Sequence, residues 1–155
     1  MLVALDPSMH CTGIAIFNDC TLVEHYNVEV PSRITGSDAI IEMVSRVYDS
    51  MPAGHWIETI VAEVQTYRGS RERMQKQQLL DLHAVCFSMV CKLHGFKGCE
   101  CVTYTPSEWN GGVPKRVIHQ RIRDKYDIDK KSGPEDYLDA IAIGDFYLRK
   151  QGWIA

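Results

Sequence analysis

The sequence predicts an α/β fold, a mixed five-stranded sheet flanked by helices, in a single domain spanning residues 1–155. Three observations predict it. Short apolar runs of strand length each close on a carboxylate, as in Leu2-Val3-Ala4-Leu5-Asp6 and Thr59-Ile60-Val61-Ala62-Glu63. From residue 37 onward, segments with helical spacing alternate with such strands, the pattern of crossover connections between parallel strands. No Pro/Gly/Ser-rich linker, repeat or low-complexity tract divides the chain, and 155 residues with 45% hydrophobic content are enough for one core.

The elements follow in order. Residues 2–5 read as a buried strand ending at Asp6, with Pro7-Ser8 as the turn. Gly13–Phe17 is a second strand and Thr21–Val30 a third. The short turns between them make an antiparallel meander. Ser37-Asp38 can cap a helix whose Ile40, Ile41, Val44, Val47 and Tyr48 recur at helical spacing. Thr59–Glu63 is the fourth strand. A long helix runs from about Arg71 to Leu93 and ends near Gly95, and Glu100–Tyr104 is the fifth strand. A helix over Pro114–Tyr126 precedes the last one. That last helix opens at Ser132-Gly133-Pro134-Glu135, a capping-box pattern, and runs to about Lys150. The order βββ-α-β-α-β-α is that of the ribonuclease-H-like fold.

Charge is uneven. The formal net charge is −3, which by itself advertises no polyanionic partner. Yet Arg68, Arg71, Arg73 and Lys76 face only Glu72 between residues 68 and 76. From Lys115 to Lys131, Lys115, Arg116 and five further basic residues outnumber Asp124, Asp127 and Asp129. Such clusters are either solvated helix faces or phosphate contacts. The six cysteines include no CxxC pair and no His at zinc-finger spacing, so buried free thiols in a reducing compartment are expected. No apolar run approaches the roughly 20 residues of a membrane span, and no basic leader precedes Leu2. A soluble, cytoplasmic protein is the expectation.

Four carboxylates carry the chemistry. Asp6 and Glu63 end two strands that, if parallel neighbours, present both groups at one sheet edge. Such a pair is costly without a cation. Asp136 and Asp139 are three apart and share one face of the last helix. Asp139 enters the apolar run Ala140-Ile141-Ala142-Ile143, where a buried carboxylate needs a counter-ion, and no Lys or Arg lies within one helical turn. Asp136 has a competing explanation as a first-turn residue complementing the helix dipole. An oxygen-only ligand set favours Mg²⁺, with Mn²⁺ able to substitute. Two such ions, roughly 3.5–4 Å apart, clamp both sides of a phosphodiester during in-line displacement. Lys115, opening its helix, is the candidate to hold the phosphate. No organic cofactor is expected.

Asp6-Pro7 followed by Gly13, then Glu63, then Thr105-Pro106-Ser107-Glu108-Trp109 leading to Lys115, and finally Asp136-Tyr137-Leu138-Asp139-Ala140-Ile141-Ala142 stand in order along nearly the whole chain. With these motifs the sequence resembles the RuvC family of Holliday-junction resolvases, including its shorter phage-encoded members. The resemblance implies a metal site of Asp6, Glu63, Asp136 and Asp139, with Lys115 assisting at the phosphate. It also implies a homodimer that nicks the two symmetric strands of a four-way junction. The long helix would supply much of that interface, or would instead pack on the sheet at two sides. Tyr67 would stack on an opened base, or simply pack, while Arg68, Arg71, Arg73, Lys76, Lys115 and Arg116 would contact DNA. Two places depart from the family pattern: Ser8-Met9-His10 replaces a glycine, and Leu80-Asp81-Leu82-His83-Ala84 replaces a glycine-rich stretch.

Other readings stay open at this level. A nuclease of the same fold could act on flaps or RNA–DNA hybrids, because the site meets a phosphate and not a base edge. A sugar-kinase-like protein would need Gly-rich phosphate loops that the chain lacks. A non-catalytic branched-DNA-binding module would not need the acidic quartet.

Overall fold

In a computed structural model, residues 1–52, 56–65, 73–130 and 132–155 are described, with backbone alone for 73–77 and 95–97. The elements are β1 (Leu2–Asp6), β2 (Cys11–Asn18), β3 (Thr21–Glu29), α1 (Gly36–Ser50), β4 (Thr59–Glu63), α2 (Arg73–Lys97), β5 (Glu100–Tyr104), α3 (Pro106–Asn110), α4 (Lys115–Tyr126) and α5 (Asp136–Lys150). They form one five-stranded sheet in the order β3-β2-β1-β4-β5. The meander β1-β2-β3 is antiparallel and β1-β4-β5 is parallel, as the sequence pattern predicts.

Strand alternation sorts the apolar residues to two faces. Val3, Leu5, Ile14, Ile16, Ile60 and Ala62 pack with Met43 and Val47 of α1 and with Val85, Met89 and Leu93 of α2. Leu2, Ala4, Ala15, Phe17 and Val61 pack with Ile122 of α4 and with Leu138, Ile141 and Leu148 of α5. Helix α5 lies flat on the sheet because two glycines leave room. A Cβ on Gly13 would stand 2.1 Å from the Asp136 carbonyl oxygen, and one on Gly144 would stand 2.4 Å from the Phe17 ring.

Two boundaries are corrected and one short helix is added. Helix α2 passes Gly95 and stops at Gly98, whose left-handed φ of +60° lets its N–H reach the His94 carbonyl at 2.8 Å. Helix α5 starts at Asp136, four residues after Ser132, and the expected Ser132–Glu135 capping box does not form. Asn27 of β3 replaces it. Its Nδ2 donates to the Pro134 carbonyl at 2.8 Å, and its Oδ1 accepts the Tyr137 N–H at 2.9 Å. A tertiary contact thus does the work of a local cap. Short helix α3 was not predicted. There Glu108 accepts from the Thr105 N–H at 2.7 Å and from the Thr105 hydroxyl at 2.8 Å. Among the described residues, no helix is long and apolar enough to cross a membrane.

Candidate active site

The sheet register creates the site. Leu5 pairs with Ala62 in the parallel β1–β4 ladder, so the next residues, Asp6 and Glu63, stand side by side at the carboxyl ends of both strands. Two-residue periodicity then aims both at the α5 face, since Ala4 and Val61 belong to the core on that side. Asp139, one turn into α5, completes a cleft of about 300 Å³ that is also lined by Gln65, Trp109, Asn110 and Lys115. Strand ends and a helix start thus bring together carboxylates that are up to 133 positions apart.

Their surroundings are specific. Glu63 is buried, and its Oε2 accepts the Trp109 indole N–H at 2.6 Å while Gln65 donates to Oε1. Asp139 is 3% exposed. Its Oδ1 lies 2.9 Å from His119 Nε2, and its Oδ2 is paired with Lys115 Nζ at 2.5 Å. His119 in turn faces Glu135 through Nδ1 at 3.4 Å, and Arg123 pairs with Glu135 from the next turn of α4. Asp136 stands outside the cleft lining, where the Cys11 thiol donates to its Oδ2 at 3.1 Å.

Burial, and then the fields of Glu63, Asp139 and Asp136, hold the enclosed carboxyl of Asp6 well above the usual carboxylate range. Burial also raises Glu63, against the opposing pull of the Trp109 hydrogen bond. Partial burial works against the Lys115 charge, but the contact with Asp139 and the fields of Asp6 and Asp136 outweigh it and raise the ammonium's pKa. Lys115 and Arg116 also open α4 with no acidic residue in the first turn, the end of a helix where cations are disfavoured.

The residues fit hard divalent cations. The set is all oxygen and mutually repelling, and its most buried member is neutralised only by a mobile, largely exposed lysine. Among the described residues, no three of these carboxylates bring ligand oxygens within 4.8 Å of one another. They line an open cleft and not a closed cage.

Other expectations fare differently. Tyr67, Arg68 and Arg71 lie outside the described residues, as do the side chains of Arg73 and Lys76 on α2. The absence of a counter-ion for Asp139 within its own helix is real, yet α4 supplies Lys115 and His119 across space. Part of the basic run in α4 serves the fold: Lys125 pairs with buried Asp145 at 2.7 Å, beside Arg149 and the Tyr126 hydroxyl. Arg116 stays exposed beside Lys115 and lines a wide groove along α4. The buried-thiol expectation holds for Cys86 and Cys99, whereas Cys11 and Cys20 are half-buried and Cys91 and Cys101 exposed. His119, Gln65 and Trp109 were not among the expected site residues. No sequence signal marks His119 or Gln65, though the Thr105–Glu108 capping box foretells a helix that carries Trp109.

No protein-family model and no curated protein sequence matches the chain. Solved structures do. A Thermus thermophilus RuvC in complex with Holliday junction substrate superposes with a TM-score of 0.72 at 16% identity, covering 97% of this chain and 95% of that one. A second Thermus thermophilus RuvC structure gives 0.65 at 16% identity, covering 97% and 96%. The yeast mitochondrial Holliday junction resolvase Ydc2 gives 0.62 at 11% identity, covering 98% and 80%. The chain has the RuvC fold. The RuvC-like sheet accounts for the site's position, because Asp6 and Glu63 emerge at the carboxyl ends of its central parallel pair.

Proposed function

We propose that this chain is a divalent-metal-dependent endodeoxyribonuclease that resolves four-way DNA junctions. One observation carries the reading. Three carboxylates from β1, β4 and α5 converge on a cleft in which Lys115 stands 2.5 Å from the most buried of them. The fold shared with junction-bound RuvC supports the choice of branched DNA.

Asp6, Glu63 and Asp139 would hold two Mg²⁺ or Mn²⁺ ions, with Asp136 contributing from the rim. When bound, the ions supply charge neutralisation at the scissile phosphate and activation of the attacking water. The chain's own groups do the rest. Trp109 and Gln65 fix the rotamer of Glu63, and His119 fixes that of Asp139, so that neither carboxylate needs to reorganise. Lys115 exchanges Asp139 for a phosphate oxygen as the substrate arrives. Arg116 extends the positive surface, and Tyr67, Arg68, Arg71, Arg73 and Lys76 are assigned to contacts with the junction arms.

A homodimer matches the substrate's symmetry. Leu80 and Phe87 on α2 are 61% and 50% exposed, while Val85, Cys86, Met89 and Leu93 bury the other face. That exposed apolar stripe is the interface we assign.

A panel of labelled four-way junction, flap, RNA–DNA hybrid and linear duplex, each with Mg²⁺, Mn²⁺ or EDTA, tests the reading. Paired nicks in the junction that EDTA abolishes are expected. Equal cutting of linear duplex would remove junction selectivity, preferred cutting of the hybrid would redirect the substrate, and no cutting with either metal would remove the nuclease itself.

A further inference from the structure

We propose that Cys91, His94, Cys99 and Cys101 form a second, chemically distinct metal site, one that takes Zn²⁺ and ties the end of α2 to edge strand β5. The spacing Cys-x₂-His-x₄-Cys-x-Cys contains no CxxC pair, so the sequence pattern alone hides it. The fold assembles it. Cys91 and His94 are three apart on α2 and share a face. Gly98, in its left-handed conformation, ends the helix and reverses the chain at once. Cys99 and Cys101 follow on either side of Glu100, where strand alternation sends both to one face.

The side-chain geometry is close to that of a loaded site. Ligand atoms of His94, Cys99 and Cys101 all lie within 4.8 Å of one another, and His94 Nδ1 is 3.9 Å from Cys101 Sγ. Tetrahedral zinc with Zn–S near 2.3 Å and Zn–N near 2.1 Å places ligand atoms about 3.6 Å apart. Contraction of the group by up to about 1.2 Å, through the two exposed side chains, closes the difference. His94 Nδ1 donates to the Cys99 carbonyl at 2.7 Å, a hydrogen bond that the ion replaces as it takes the Nδ1 lone pair and displaces the proton. Cys91, exposed one turn earlier on α2, lies outside that group and reaches the ion as the fourth ligand by a rotation of its side chain. Three sulfurs and an imidazole select Zn²⁺ over Mg²⁺, the reverse of the oxygen-only cleft.

Its position gives it a purpose. Cys101 pairs with Ile60, three residues before Glu63, so the site stands roughly 10 Å down the sheet from the carboxylates. Strand β5 is an edge strand, and it leads directly into α3, which carries Trp109. A cation there would pin an otherwise one-sided strand to the long helix.

The test uses the full chain, stripped of metal, kept reduced, loaded with Zn²⁺ and desalted, with retained zinc counted by elemental mass spectrometry. One ion per chain is expected. Co²⁺ in its place should give the intense visible absorption of a tetrahedral thiolate centre. Cys101→Ser and Cys91→Ser, both at exposed positions that need not disturb the core, should each lose the ion and the absorption. Asp139→Asn should keep both. Failure of the wild type to retain zinc overturns the proposal, as does retention by both cysteine variants or loss on Asp139→Asn. None of these outcomes depends on nuclease activity, so the proposal stands or falls apart from the function assigned to the cleft.

Discussion

Lys115 Nζ stands 2.5 Å from Asp139 Oδ2, although the lysine side chain is 62% exposed and the aspartate 5%. A flexible, solvated cation is therefore paired with a fixed, buried anion. The lysine can leave; the carboxylate cannot. This asymmetry suits a group that guards an anionic site until a phosphate and its metals replace it. Asp139→Asn should abolish cleavage while junction binding is retained in Ca²⁺, whereas Lys115→Ala should lower kcat by roughly 100-fold, the scale of removing one electrostatic stabiliser from an active site. Single-turnover cleavage beside gel-shift binding separates the two. Full cutting by the Asn variant would refute the central role of Asp139.

Trp109 is a positioning residue acting through Glu63. Its indole N–H is the largest of the influences, with Lys115 and Gln65 behind it, that keep burial from raising the Glu63 carboxyl further. Trp109→Phe keeps the ring and removes the donor, a loss of roughly 1.5–3 kcal/mol for a hydrogen bond to a charged group. The acid limb of the kcat/KM profile should move to higher pH. A drop in Tm with an unmoved profile would mean that the residue only packs.

The acidic cleft sets a pH dependence of stability in EDTA. Asp6 and Glu63 both have carboxyls raised above their unfolded values by burial. The fold prefers their protonated forms, so their contribution is fully present below the ordinary carboxylate range and lost as pH rises through the raised values. Asp6→Asn should raise Tm at neutral pH and leave it nearly unchanged in acid. Mg²⁺ should raise the neutral-pH Tm of the wild type by binding the native state alone. A thermal-shift series across pH checks both, and an Asp6→Asn protein less stable than wild type at neutral pH would count against the strained cleft.

Gly13→Ala tests how closely α5 must approach β2. The added methyl would meet the Asp136 backbone at 2.1 Å, and backbone cannot swing aside as a side chain can. A loss of about 1–3 kcal/mol is expected from overpacking of this kind, together with reduced cleavage as Asp136 and Asp139 shift. Urea unfolding and kcat measure the two effects, and a neutral Ala variant would show that the helix start has slack.

The exposed stripe on α2 predicts a monomer when broken. Leu80→Glu with Phe87→Glu should halve the mass seen by light scattering and slow paired nicking, and Tm should lose its dependence on protein concentration. An unchanged mass would place the interface elsewhere.

Strand composition and end residues were enough to read the five strands, their mixed directions and the candidacy of Asp6, Glu63 and Asp139. Those depend on local periodicity and on the cost of an acid beside an apolar run, and both are written in consecutive residues. What came from partners distant in sequence was not legible. Asn27 caps α5 from β3, which is why Ser132 and Glu135 misled as a local cap; Glu135 is instead held by Arg123. His119 reaches Asp139 across two helices, so the absence of a cation within one turn said nothing about its real neighbours. Cysteines at unremarkable spacing meet His94 because Gly98 folds α2 back onto β5. Periodicity and end residues specify which face of each element is apolar and where it stops. Which polar groups then meet is decided by register and packing, because a hydrogen bond or a coordinate bond needs angström-scale placement that only the assembled sheet supplies.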